Sequence, residues 1–182
     1  MTEIIRGADI SSCGKFRYSL ERRWSLGTDR SLVLMANPSD ADASVDDPTI
    51  RNLIKWHRSW GYGGFIAVNI NPRRSRKPDV ALGWLAQELR TCGDGVSEAL
   101  VANHQAIRVA AHGPSIVLVA YGVLKDWVRP VAAGVVETIR SANKAAPFYC
   151  LGLTACGDPK HPMARGVHRI PDSIRPIPWS QK

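Results

Sequence analysis

Buried apolar strands alternating with helical periodicities predict an α/β fold for this 182-residue chain. Three observations carry that prediction. The segments SLVLMA, GFIAVNI and SIVLVAY are unbroken apolar runs bounded by turn residues, the pattern of strands covered on both faces. The stretches between them are long enough for full helices and repeat apolar residues at helical spacing. No apolar run approaches the ~20 residues a membrane helix needs. The expected architecture is a single domain over 1–182, a three-layer α/β/α sandwich with a central, mostly parallel sheet and an antiparallel N-terminal edge strand.

Each element has a local reason. Phe16–Trp24 (FRYSLERRW) alternates imperfectly, with Arg at polar positions, and reads as the edge strand, so 1–30 form the edge region. The turn Leu26-Gly27-Thr28-Asp29 leads into the strand Ser31–Ala36, and Asn37–Asp46 (NPSDADASVD) is a polar loop. Asp47-Pro48-Thr49 opens a helix: Asp47 suits the N-cap, and Pro48 lacks the N–H that the first helical position would leave orphaned. Ile50, Leu53, Ile54 and Trp60 mark its inner face, and Gly61 ends it. Gly64–Ile70 is the next strand, followed by the loop NPRRSRK. Pro78 starts a second helix with the stripe Leu82, Leu85, Ala86 and Leu89, broken at Cys92-Gly93-Asp94-Gly95. A third helix runs from Ser97 to Ala111 and is closed by His112-Gly113-Pro114. Ser115–Tyr121 is a strand and Lys125–Ala142 a helix, with Pro130 near its first turn. Phe148–Leu153 is the last strand, and 154–182 form a Pro-rich tail with little regular structure.

Composition narrows the class. Hydrophobic residues at 45% and charged residues at 22% are ordinary globular usage and exclude a disordered tail, a collagen-like fibre and a coiled coil. Met1–Ile10 carries Glu3, Arg6 and Asp9, so it has no signal-peptide core, and the chain is expected to be soluble and cytoplasmic. Cys13, Cys92, Cys150 and Cys156 show no zinc-knuckle spacing and read as reduced, structural thiols. His57, His104 and His112 share no metal spacing either, so no metal or other cofactor is expected. Lys plus Arg number 24 against 16 for Asp plus Glu, a net charge of +8. With a pI near 9.7 this balance favours a polyanionic partner: nucleic acid, a nucleotide or an acidic protein.

In parallel sheets, ligands bind beyond the carboxyl ends of the strands. Three strands end in polar clusters, expected on one edge: Asn37-Pro38-Ser39-Asp40, Asn69-Ile70-Asn71-Pro72-Arg73-Arg74, and Thr154 through Pro162. The amides of Asn37, Asn69 and Asn71 can read a base edge, with Ser39 beside them; the plainer reading is that Asn and Pro form turns. With Asp47 assigned to the cap, Asp40, Asp42 or Asp46 is left to position or deprotonate a water. The adjoining helix N-terminus is an anion site in waiting, but the loop lacks P-loop and dinucleotide-fingerprint glycines. In Pro159-Lys160-His161-Pro162, His161 can donate to an oxyanion or a leaving base, and Lys160 can hold a phosphate. Arg51, Lys55 and Arg58 recur along one helix face and, with Arg73, Arg74, Arg76 and Lys77, form a basic track or a solvated surface. Trp56, Trp60, Tyr62 and Trp84 read first as core and second as stacking platforms.

The stretches RYSLERRW, LVLMANPSDADASVDDPTIRNLIKWHRSWGYGGFIAVNI, VAYG and YCLGLTACGDPKHPMA resemble, in order, the bacterial domain-of-unknown-function 1643 family. That family has Thr where this chain has Asp40. In MANPSDAD, VNIN and KHP the chain also resembles the uracil-DNA glycosylase superfamily. The second resemblance implies that Asn69 or Asn71 reads the base, a first-loop Asp positions water, His161 stabilises the departing base, and Arg73 and Arg74 grip phosphates. The expected function is a nucleobase-recognising hydrolase cleaving an N-glycosidic bond in DNA, a nucleotide or a nucleoside. The alternative is a non-catalytic protein that binds nucleic acid or a nucleotide.

Overall fold

Successive side chains of the buried strands point to opposite sides of one sheet, and each set meets different partners. The computed structural model describes residues 3–91 and 97–180. Its strands are β1 (Ile5–Ile10), β2 (Arg17–Arg23), β3 (Arg30–Met35), β4 (Gly64–Asn69), β5 (Ile116–Val119), β6 (Phe148–Cys150) and β7 (Ile177–Pro178). Its helices are α1 (Pro48–Trp60), α2 (Pro78–Thr91), α3 (Glu98–Ala111) and α4 (Arg129–Ala142). Leu32, Leu34, Ile66, Val68, Val117 and Val119 pack with Ile107 of α3 and Val135, Val136 and Ile139 of α4. Val33, Met35, Phe65, Ala67 and Leu118 face the other way, onto Ile50, Leu53 and Trp56 of α1 and Ile170 of the tail. The result is helix, sheet and helix in layers.

The strand order is β1-β2-β4-β3-β5-β6-β7. The central run β4-β3-β5-β6 is parallel, whereas β1, β2 and β7 join antiparallel at the two sides. From β3 the chain moves to one side to form β4, then crosses back to place β5 on the other side. That reversal is a topological switch point: the chain leaves β3 toward α1 on one face and β5 toward α4 on the other, the arrangement that leaves a crevice between the two loops.

Beyond shifts of one or two residues at element ends, four features differ from the sequence expectation. The edge strand is Ile5–Ile10, and Arg17–Arg23 lies inside the sheet between β1 and β4. The edge strand escapes a hydrophobicity reading because its residues are half-exposed or exposed, with Arg6 and Asp9 in the run. The helix expected from Lys125 begins as a 3-10 turn at Asp126–Val128 and becomes α-helical at Arg129. The last central strand stops at Cys150 rather than Leu153. The tail contributes β7, whose Ile177 and Pro178 pair with Cys150 and Tyr149 at an edge that tolerates proline. The break expected at 92–95 lies outside the described residues.

Candidate functional site

The first loop starts α1 as its sequence suggests. Asp47 is the N-cap, its Oδ1 accepts the Ile50 amide at 2.9 Å, and Pro48 opens the helix. The other carboxylates of the loop hold it in shape. Asp42 accepts from the Ser44 and Val45 amides at 2.8 Å and from the Ser44 hydroxyl at 2.9 Å, and these bonds lower its pKa to about 2. Asp46 accepts from Nε of the fully buried Arg22 at 2.6 Å and from Arg6 at 3.3 Å. The Arg22 guanidinium also donates to the Asp42 carbonyl at 2.6 Å, so strand β2 clamps the loop. Asp40 pairs with the exposed Arg76.

Arg17, which sequence reasoning did not single out, lies beneath this loop. It is 1% exposed, with Nη1 donating to the Ala41 carbonyl at 2.9 Å and Nη2 to Asn69 Oδ1 at 3.2 Å. Burial lowers its pKa to about 10, opposed by the nearby Asp47 charge. Asn69 therefore supports Arg17 from below. Asn71 is also structural: it donates to the Ala81 carbonyl at 2.7 Å and accepts the Arg73 amide, tying β4 to α2.

The last loop presents His161. Its frame is the Asp158 carboxylate, 3% exposed, which accepts from Arg129 at 2.5 and 2.9 Å and from the Leu124 amide at 3.2 Å. Gly122, just past β5, has φ +79°, and a Cβ there would come within 3.0 Å of the His161 Cβ. The Met163 amide donates to His161 Nδ1 at 3.1 Å, which leaves the imidazole proton on Nε2. Burial pushes the His161 pKa down, with Asp47 opposing, so the ring is neutral at physiological pH. Lys160 lies along Gly152, its Nζ about 4.0 Å from where a Cβ would stand.

These parts converge on a two-lobed cleft at the switch point. One lobe, about 380 Å³, is bounded by Arg17, Asn37, Ser39, Asp47, Thr49 and Arg76 among others. The second, about 510 Å³, is more apolar and is bounded by Leu82, Tyr121, Val123 and Leu124. Asn37, Pro78 and His161 belong to both and mark the junction. Asn37 Nδ2 is held by the Pro38 and Ser75 carbonyls, leaving Oδ1 for a ligand. Of the sequence candidates, Asn37, Ser39 and His161 thus come together. Asp40, Asp42, Asp46, Asn69, Asn71, Arg73, Arg74 and Lys160 do not line either lobe. Asp47, assigned to the cap from sequence, is the one carboxylate that does among the described residues.

Most of the expected basic track is taken up by other contacts, whereas Lys77 is exposed. Arg73 lies over the Phe16 ring, Arg74 donates to the Gly14 and Asp40 carbonyls, and Arg58 lies over Trp24. Arg51 donates to the Asp46 carbonyl, and Lys55 pairs with Asp172. The aromatic candidates are structural too: Trp56 is buried, Trp60 donates to the Ile174 carbonyl, and Trp84 packs on Phe16. Larger space exists along α2, a groove of about 620 Å³ that includes Leu89 and Trp127. It adjoins the apolar lobe, sharing Leu82 and Lys125 with it, and its other charged residues are Asp79 and Arg90. No group of three or more metal-ligating side chains occurs among the described residues, and no described helix is long and apolar enough to cross a membrane.

No curated protein and no solved structure matches the chain. A family described as "protein of unknown function (DUF1643)" matches residues 17–163, which include β2, the first loop, the switch point and His161. The chain belongs to that DUF1643 family.

Proposed function

We propose that this protein is a nucleobase-recognising hydrolase that cleaves an N-glycosidic bond. The observation that carries the reading is the junction of an apolar lobe and a cationic lobe at Asn37 and His161. Ligand pockets pair apolar walls with a few placed polar groups, and a heterocycle fits the lobe walled by Leu82, Tyr121 and Leu124. Asn37 Oδ1 accepts from the base edge. The water oxygen bonds to the anomeric carbon while the C–N bond breaks with its electron pair on the base. The Nε2 proton of neutral His161 hydrogen-bonds that developing anion. Asp47 takes the proton of the attacking water, a role that passes to it because Asp40, Asp42 and Asp46 are held in the loop. The reading departs from the glycosylase resemblance at the base, which that resemblance gives to Asn69 or Asn71, because Asn69 is held by Arg17 and Asn71 by Ala81.

A second reading, a non-catalytic nucleotide binder, is favoured by that same structural use of three carboxylates. One assay separates the two. The protein is incubated with nucleosides, nucleoside monophosphates and single- and double-stranded oligonucleotides, and free base is quantified by chromatography. Hydrolysis predicts base release that falls ~10²–10³-fold in His161→Ala and in Asp47→Asn, which keeps a capping side chain. Binding with no release from any substrate would establish the binder instead, and neither binding nor release would remove both.

A further inference from the structure

We infer that the cationic lobe is a phosphomonoester site, making the ligand a mononucleotide-sized phosphate ester rather than a polymer. The nucleobase half of that ligand rests on the function proposed above, whereas the anion half stands on its own geometry. Two arginines of β2 are equally buried, and their surroundings differ. Arg22 has the carboxylate of Asp46 at 2.6 Å. Arg17 donates to two neutral acceptors, and its Nε has no partner among the described residues. A buried cation without a bonded anion carries a large desolvation cost, which an anionic ligand in the adjoining lobe offsets. Arg17 is part of that lobe's wall.

The α1 N-terminus supplies a second donor. Asp47 caps the Ile50 amide and its carbonyl takes the Arg51 amide, so the Thr49 amide has no intrahelical acceptor. Arg76 and the exposed Arg165 complete the wall. Three guanidinium groups against Asp47 leave the lobe net positive, even with Asp40 on Arg76. The compact arrangement argues against a polymer, because most of the residues that would extend it into a phosphate track, Arg51, Lys55, Arg58, Arg73 and Arg74, are held by Asp172, Trp24, Phe16 and backbone carbonyls. Bidentate guanidinium contacts suit the terminal oxygens of a monoester.

Calorimetric titration of the full chain with inorganic phosphate, ribose 5-phosphate, a nucleoside, its 5′-monophosphate and a short oligonucleotide tests this. The monophosphate should bind at least about tenfold tighter than the nucleoside, as expected for charge-assisted hydrogen bonds. Arg165→Ala and Arg17→Gln should erase that difference. If Arg17→Gln does not fold, the exposed Arg165→Ala carries the test. Equal affinity for nucleoside and monophosphate, with no heat from ribose 5-phosphate or inorganic phosphate, overturns the anion site. An oligonucleotide that outcompetes the monophosphate with steep salt dependence overturns the preference for a monomer. Binding of ribose 5-phosphate with no response to bases or nucleosides keeps the anion site and removes the nucleobase reading.

Discussion

The loops that follow β3 and β6 are both anchored by an arginine–aspartate pair, yet they use their polar residues differently. In the first, Arg22 clamps Asp46 and the Asp42 carbonyl, Asp42 closes a turn, and Asp40 meets Arg76, so most of its carboxylates hold the loop itself. In the last, a single pair, Arg129 with Asp158, fixes the frame, and His161 is left facing the cleft. A cluster of acids near a strand end is therefore not evidence of a general base, because a carboxylate that accepts several hydrogen bonds has been committed to structure. The acid with a claim on chemistry is the helix cap, Asp47, which keeps one oxygen on Ile50 and still borders the cleft.

The strongest way to break this contrast is at Arg22. Arg22→Met removes a fully buried partner, leaves Asp46 only the longer Arg6 contact and orphans two loop carbonyls, so denaturant unfolding should show a loss of about 3 kcal/mol. Arg22→Lys should recover little, since an ammonium cannot replicate the fork. A loss under about 1 kcal/mol would mean the clamp is incidental.

Acid tests the helix that the first loop launches. His57, fully buried, donates from Nδ1 to the Leu53 carbonyl at 2.7 Å and accepts from the Ser31 hydroxyl at 2.6 Å. Burial lowers its pKa from the ordinary 6.5 to about 4. The unfolded chain thus takes up the proton first: this stability is fully present above about pH 6.5 and is lost as pH falls toward 4, up to about 3 kcal/mol. Denaturation curves across that window should show the decline, and His57→Gln should lack that part of it. A flat profile would contradict the neutral, buried imidazole.

In the last loop the effects should be smaller in stability and larger at the site. Asp158→Asn keeps the shape but weakens the bonds to Arg129, which is 40% exposed, so about 1–2 kcal/mol is expected together with displaced His161 resonances. Gly122→Ala should cost about 1–2 kcal/mol because its φ is +79° and the new methyl meets His161. Unchanged His161 resonances in both variants would show that the frame does not position it. The smallest effect belongs to Asp40→Ala, which removes an ion pair whose members are 81% and 43% exposed. Unfolding should change by under about 1 kcal/mol.

What the sequence disclosed and what it concealed follow from the range of the interactions. The strands SLVLMA, GFIAVNI and SIVLVAY and the Asp47 cap are legible because burial on both faces and a cap bond three residues away are local facts. Asn37 and His161, singled out from their places after strands, both line the cleft. The partners of Asp46 and Asp158 were not, since Arg22 and Arg129 stand 24 and 29 residues away. Arg17 was hidden for the same reason: its acceptor Asn69 is 52 residues off, and only the strand order brings β2 beside β4. The edge strand β1 was missed because half-exposed residues leave no period-2 signal.

The central claim is that ligands enter between the ends of β3 and β5, at Asn37 and His161. Amide chemical-shift mapping of the labelled full chain with a nucleoside 5′-monophosphate tests it directly. The account predicts shifts at Thr49, Gly122 and His161 and at the Asn37 side-chain amide, with little change along α2. Shifts concentrated instead around Leu89 and Trp127, or in the separate cavity that Cys156 of the last loop forms with Trp179, would contradict it.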